Sequence, residues 1–277
     1  MQPTAGFNEQ LEDAVKGVEK GVLISTFMRS GTHLTIDFIR KNFPTFRTSK
    51  RIFQNSTHLY FVLDTISDFW GGHEQHRRDC LGFLQRSRYP IFKAHFLEPN
   101  LGHFNDYPAM QTLLVERCKT VYVTRNLFRV LPSLWAFFET AKLKNPSMSS
   151  IVESRDNFVT EYAQKWKKHV DSWSETKGTL LIRFEDTVAD PDSVAAKLAS
   201  HLGESLPSSS GKDLLPPKNS STFFHRIINY VHPNPLSSEI RPSRSASKKP
   251  FVLTESEKQS CLEIAGATLE RLGYPTD

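Results

Sequence analysis

The stretch from Val22 to Arg40 constrains this chain most. Val22-Leu23-Ile24-Ser25-Thr26 is apolar or β-branched, Phe27-Met28-Arg29-Ser30-Gly31-Thr32-His33 is a tight polar turn, and Leu34, Phe38 and Ile39 then recur at helical spacing. Asp37 and Arg40 are expected to face away from that apolar stripe. A buried strand therefore feeds a helix through a short loop, which calls for a sheet covered by helices. The helix N-terminus offers unpaired N–H groups and the positive end of a dipole, so it suits an anion. Gly31 allows close backbone approach, Ser30 and Thr32 add hydroxyls, and Arg29 adds charge. The stretch reads as a P-loop-like phosphate cradle. It lacks the Walker pattern, because no Lys follows Gly31 and no second Gly stands five residues earlier. Taken alone, such a turn also serves as an ordinary strand-to-helix connection, so the remaining chain decides.

Further strands and helices alternate after it. Arg88 to His95 and Lys119 to Thr124 read as strands, each ending in polar residues, and Thr179 to Phe184 as a fourth. Thr65 to Gln85 reads as helical, weakened at Gly71-Gly72-His73. A helical stretch to Glu139 is expected after Arg125-Asn126, and another helix from Phe158 to Trp173 with Trp166, Val170 and Trp173 on one side. Asp190-Pro191 opens a helix in cap-then-Pro order, Val194, Leu198 and Leu202 form its stripe, and Gly203 ends it. The last helix starts at Thr254 with a capping box to Glu257 and stops at Gly273. The expectation is a single α/β domain over residues 1–277, a central parallel sheet flanked by helices. Residues 1–20 read as an N-terminal extension, and 204–250, rich in Ser, Pro and Lys, as a mobile loop region.

Composition narrows the function classes. The 35 Lys and Arg against 30 Asp and Glu give a net charge of +5, which favours an anionic partner. Nucleic acid is not expected, since the basic clusters Arg77-Arg78 and Lys248-Lys249 are short and no zinc-finger, RRM or KH pattern occurs. No signal peptide or membrane span is read, and the three cysteines, Cys80, Cys118 and Cys261, are scattered, which fits a reducing, cytoplasmic setting. His58 and His73-x-x-His76 lack a further obvious ligand, so no metal site is expected.

Three strand ends remain together: Phe27 to His33, Lys93 to His95, and Arg125 to Ser133. Ligands of open α/β sheets bind beyond the carboxyl ends of the strands, where these basic residues would converge on one multiply charged anion. Here the chain resembles the cytosolic-type sulfotransferases that use 3′-phosphoadenosine 5′-phosphosulfate (PAPS). Their loop Y-P-K-S-G-T-T-W is met by Phe27-Met28-Arg29-Ser30-Gly31-Thr32-His33, with Arg29 in place of the Lys and His33 read in place of the Trp. Their K-T-H is met by Lys93-Ala94-His95, and the outer positions of R-N-P-x-D-x-x-x-S by Arg125-Asn126 and Ser133. Phe184-Glu185-Asp186 with Asp190-Pro191 matches Y-E-D-x-x-x-D-P, Phe184 standing for the Tyr. The C-terminal R-K-G is matched most loosely, by Arg241-Pro242-Ser243 ahead of Lys248, Val252, Leu253 and Glu257.

The resemblance implies sulfuryl transfer from PAPS to a hydroxyl or amine of a small-molecule acceptor, with release of 3′-phosphoadenosine 5′-phosphate (PAP) and no required metal. It implies His95 as general base and Lys93 and Arg29 as the other catalytic residues. Arg29, Ser30, Gly31, Thr32, His33, Arg125, Ser133, Phe184 and Arg241 would bind the donor, with Arg244 the alternative to Arg241. The degraded dimer segment leaves monomer and homodimer both open. The alternatives are a P-loop-type nucleotide kinase, against which the missing G-K-[ST] counts, and a non-catalytic nucleotide-phosphate binding protein, against which retention of Lys93 and His95 counts. A phenol, alcohol, sugar, amine or guanidinium alkaloid of the saxitoxin type is each compatible as acceptor.

Overall fold

The computed structural model describes residues 5–47, 59–65, 74–144, 155–216 and 251–276. Its centre is β1 (Gly21–Thr26), all six residues of which are buried. It pairs in parallel with β3 (Ile91–Ala94) on one side and β4 (Cys118–Thr124) on the other. With the short β2 (Phe61–Val62) outside β3, and β5 (Thr179–Arg183) outside β4, the order is β2-β3-β1-β4-β5, all parallel. Register does the functional work: Ser25 lies opposite Ala94 and Thr26 opposite Val123, so His95 and Arg125 emerge beside the loop that follows β1. The chain runs from β1 to β2 at one edge, returns to β3 and then crosses past β1 to β4, so strand order reverses at the carboxyl end of β1, where ligands of such sheets bind.

The strands read as continuous apolar runs because both faces are covered. Val22, Ile24, Val121, Val123 and Ile182 meet Ile36, Phe38 and Ile39 of α2 (Thr32–Asn42), and Val194, Leu198 and Leu202 of α8 (Pro191–Leu202). On the opposite face Leu23, Phe92 and Tyr122 join a larger core. It is built with α1 (Ala5–Lys16), α3 (Glu74–Leu84), α4 (Pro108–Thr112), α5 (Leu127–Lys144), α6 (Arg155–Ser174) and α9 (Glu255–Arg271). A last helix, α7 (Phe184–Ala189), follows β5 directly.

The caps form as read. The Asp190 carboxylate accepts from the Ser193 N–H at 3.1 Å, Gly203 takes φ 65°, and Thr254 and Glu257 close both arms of their box. Several expectations are corrected. Asp37 and Arg40 are buried, not outward: Asp37 Oδ1 lies 3.7 Å from Arg40 Nη1, and Arg47 Nε donates to the Arg40 carbonyl at 3.2 Å. Strand β2, two residues long, is too short to carry a period. The fourth strand stops at Arg183, so Phe184 opens α7 and packs against the core beneath the sheet face that α2 covers. The helix expected from Thr65 starts, among described residues, at Glu74, past Gly71-Gly72-His73; residues 66–73 lie outside the description.

Within the N-terminal stretch, α1 is part of the fold. Leu11 is fully buried, Phe7 meets Tyr107 edge-on at 5.9 Å, and Arg117 Nη1 donates to the Val15 and Val18 carbonyls. Of residues 204–250, the described part to 216 packs on α2 through Asn42 Nδ2, which donates to the Leu214 carbonyl at 2.8 Å. Among the described residues no helix is long and apolar enough to cross a membrane.

Candidate active site

The loop after β1 is held in a shape few residues tolerate. Gly31 has φ 101°, and a Cβ there would sit 2.3 Å from Cδ2 of Phe184, the ring that closes the loop from behind. Arg29 also adopts a left-handed φ of 68°, a strained conformation for a side chain of its size. Ser30 is fully buried, and its Oγ has no described hydrogen-bond partner. This hydroxyl lies at a helix N-terminus, where backbone N–H groups and the helix dipole favour an anion. We expect Gly31→Ala to lower the melting temperature, with a penalty of about 1–3 kcal/mol from backbone strain. Anion binding should be lost with it, which thermal melts with and without nucleotide would read.

His95 is fixed at two atoms, its Nδ1 and its backbone N. Its Nδ1 lies 3.0 Å from the Thr26 carbonyl oxygen and 3.0 Å from Thr26 Oγ1. A carbonyl only accepts, so Nδ1 carries the proton and Nε2 the lone pair. The Thr26 hydroxyl in turn lies 2.7 Å from Thr32 Oγ1, joining the histidine to the first turn of α2. The His95 backbone N–H donates to both oxygens of Asp64, at 3.1 and 2.9 Å. Burial first, and the Lys93 ammonium second, push the His95 imidazole down to about 3, so it is neutral near pH 7.

Cations crowd the opposite wall. Lys93 Nζ lies 3.3 Å from His33 Nε2 and 5.7 Å from the centre of the Tyr60 ring. Burial lowers the Lys93 ammonium to about 8, with Asp64 opposing and Arg29 reinforcing the shift. His33 is lowered to about 3 by burial, then by Lys93 and Arg29, and it meets Tyr60 edge-on at 5.6 Å. Arg29 Nε donates to Ser133 Oγ at 3.1 Å, and its guanidinium lies 5.4 Å from the Phe137 ring centre on α5.

Arg125 closes the third side. Its Nη1 donates to the Arg29 carbonyl at 3.2 Å, and its guanidinium packs 4.6 Å from the centre of the Phe184 ring. The buried Arg125 Nε has no described partner. Burial first and Arg125 second lower Arg29, while burial lowers Arg125 with Glu185 opposing, so two guanidinium groups stand together at this wall. Asn126 caps α5 by accepting the Phe128 N–H at 2.8 Å, and its own N–H donates to Glu185 Oε1 at 3.1 Å.

Arg29, Ser30, Gly31, Thr32, His33, Lys93, His95, Arg125, Ser133 and Phe184 thus surround one crevice. Arg241 and Arg244 lie outside the described residues. In register with Ser30-Gly31-Thr32, His33 takes the place of the second Thr of Y-P-K-S-G-T-T-W, and Leu34 that of the Trp, which corrects the reading above. Sequence reasoning missed Thr26, Asp64 and Phe137. Only Thr26, adjoining the polar turn, offered a local cue.

A sulfotransferase domain family matches residues 19–223, a span that holds every described residue of this crevice. The chain belongs to the sulfotransferase family. Cytosolic sulfotransferase 10 of Arabidopsis thaliana is 32% identical over 107 residues, 36% of this chain and 32% of that relative. Sulfotransferase 1A1 of Mus musculus is 32% identical over 102 residues, 35% of each chain. The matched segment thus spans about a third of the length of these curated relatives. The mouse sulfotransferase SULT7A1, solved in complex with PAP, superposes with a TM-score of 0.54 at 18% identity, covering 94% of this chain and 88% of its own. That likeness establishes the sulfotransferase fold for this chain.

Proposed function

We propose that this sulfotransferase-family chain moves the sulfuryl group of PAPS to a hydroxyl or amine of a small-molecule acceptor and releases PAP, with His95 as general base. One observation carries the reading: a neutral histidine whose Nδ1 proton is tied to a main-chain carbonyl stands in the same crevice as Lys93 and an Arg29–Arg125 pair. The crevice fits a donor bearing two separate phosphate positions. Buried Ser30 Oγ and Arg125 Nε lack described partners, and the Gly31 cradle admits no Cβ.

PAPS, when bound, supplies an activated sulfuryl group whose leaving oxygen belongs to its 5′-phosphate. Everything else falls to the chain. Ser30, Thr32 and the first N–H groups of α2 bind at the 5′ side. Arg125 and Ser133 read the 3′-phosphate, with Arg241 or Arg244 completing that contact. Arg29 and Lys93 stabilise charge that develops on the leaving oxygen. The His95 Nε2 lone pair takes the acceptor proton as the acceptor oxygen or nitrogen bonds to sulfur. Phe184, in place of a Tyr, keeps the loop packed without a hydroxyl. No metal is required in this scheme, because the cations are supplied by side chains, and a cytoplasmic setting suits it.

Two measurements test the reading. PAP should raise the melting temperature in the presence of EDTA, and ATP with Mg²⁺ should raise it less at equal concentration, since stabilisation follows affinity for the native state. The reverse ranking would favour a P-loop-type kinase. Binding of PAP without any transfer from labelled PAPS across a broad acceptor panel would leave a non-catalytic nucleotide-phosphate binding protein.

The pH profile offers a second prediction. The Lys93 ammonium persists below its lowered value of about 8 and is lost above it, so kcat/KM should fall above pH 8 and not near 10.5. Lys93→Met should be slower at pH 7 by roughly 10² and lack that limb, comparable to loss of one electrostatic donor. A wild-type profile flat to pH 10 would remove Lys93 from the charged machinery.

A further inference from the structure

We propose that Asp64 is a positioning residue for this crevice: its carboxylate locks the end of β3 so that His95 keeps its grip on Thr26. The inference rests on the functional reading above but concerns a residue to which that reading gives no role. Asp64 sits in the turn Leu63–Thr65, directly after the edge strand β2, and is 7% exposed. Its carboxylate accepts three main-chain contacts in one place: the His95 N–H at 3.1 and 2.9 Å, and the Phe96 N–H at 3.1 Å. These N–H groups lie at the carboxyl end of β3, where the strand stops pairing and its N–H groups lose their sheet partners. A buried carboxylate is costly unless such donors and a cation compensate it.

The cation is Lys93, two residues back on β3. Groups facing the Lys93 ammonium are Arg29 from the loop after β1, His33 from α2, Asp64 from the turn after β2, His95 and the Tyr60 ring. Asp64 itself faces Lys93, His95 and His103. Among the described residues, Asp64 favours the charged state of Lys93, against burial and Arg29. The same carboxylate thus fixes the base by hydrogen bonds and the neighbouring acid–cation by charge. Without it, the β3 terminus would be free to turn, and Lys93 would surrender its proton at lower pH.

The test compares Asp64→Asn with Asp64→Glu in the full chain. Asn keeps the size, removes the charge and offers a single acceptor oxygen, whereas Glu keeps the charge but displaces the acceptors. Lys93 is titrated by NMR of ¹³C-methylated lysines, which needs no turnover, and transfer from PAPS is followed from pH 6 to 10. For Asp64→Asn we expect the Lys93 midpoint to fall by about one pH unit and the alkaline limb of kcat/KM to move with it. Its kcat at pH 7 should drop roughly 10- to 100-fold, with PAP affinity within about threefold of wild type, as for a group acting only through the base. Asp64→Glu should restore the midpoint and the limb but not the whole of kcat. If Asp64→Asn does not fold, Asp64→Glu decides alone: wild-type kcat at every pH would overturn the clamp. An unmoved Lys93 midpoint in folded Asp64→Asn would overturn the charge role. Should the wild-type protein transfer nothing, the functional reading fails while the NMR titration still decides the pairing of Asp64 with Lys93.

Discussion

His95→Ala should reduce turnover by roughly 10²- to 10⁴-fold in single-turnover transfer with PAPS saturating, the range for a lost acid–base group. The expectation follows from how the ring is held. Nδ1 donates to the Thr26 carbonyl, so the remaining nitrogen must be an acceptor, and burial together with Lys93 keeps it unprotonated near pH 7. An imidazolium could not take a proton, and the other tautomer would leave the Thr26 carbonyl without its donor. His95→Asn is expected to be as slow as Ala, because an amide is not a base at this pH. PAP should bind both variants within about twofold of wild type, since the base meets the acceptor and not the phosphates; an unchanged affinity also shows that the crevice is intact. An acceptor with a much more acidic hydroxyl should lose less rate than an alcohol, its proton needing less help to depart. Near-wild-type transfer to an ordinary alcohol or amine by His95→Ala would end the assignment.

Arg125→Ala should weaken PAP by about 2 kcal/mol, about 30-fold, and adenosine 5′-phosphosulfate far less, because only PAP carries the 3′-phosphate. The geometry adds a complication that the experiment must separate. Arg125 Nη1 also supports the Arg29 carbonyl, whose residue has a left-handed φ, so truncation disturbs the 5′ loop as well. Arg125→Lys keeps a charge near the 3′ side without the planar fork that spans the Arg29 carbonyl and a ligand, and it should fall between wild type and Ala for PAP. Calorimetric affinities for both nucleotides with all three proteins provide the comparison. Equal weakening of PAP and adenosine 5′-phosphosulfate by Arg125→Ala would assign Arg125 to loop support alone.

Much of the site was legible because its chemistry sits at strand ends. Phe27 to His33, Lys93 to His95 and Arg125 to Ser133 each follow an apolar run, and parallel pairing with β1 in the centre must bring such ends to one edge. The Asp190 and Thr254 caps were legible for a related reason, since a cap is satisfied within three residues of itself. Asp37 and Arg40 were misplaced because helical period reports one apolar face, whereas α2 buries polar residues beyond that face as well.

By itself, then, the sequence determined what local physics can encode: the alternation of strands and helices, the caps satisfied within three residues of themselves, the glycine in the first loop, and which cations stand at each strand end. Tertiary structure decided the pairings. Asp64 reaches His95 across 31 residues, and Arg29 reaches Ser133 across 104. The Phe184 ring closes on Gly31 from α7, a helix that the sequence reading did not separate from β5. No period or spacing records such contacts, because they arise only once the parallel register has brought the ends of β1, β2, β3 and β4 level. There, burial turns ordinary polar residues into a neutral histidine, a lysine lowered to about 8 and a carboxylate held by main-chain N–H groups.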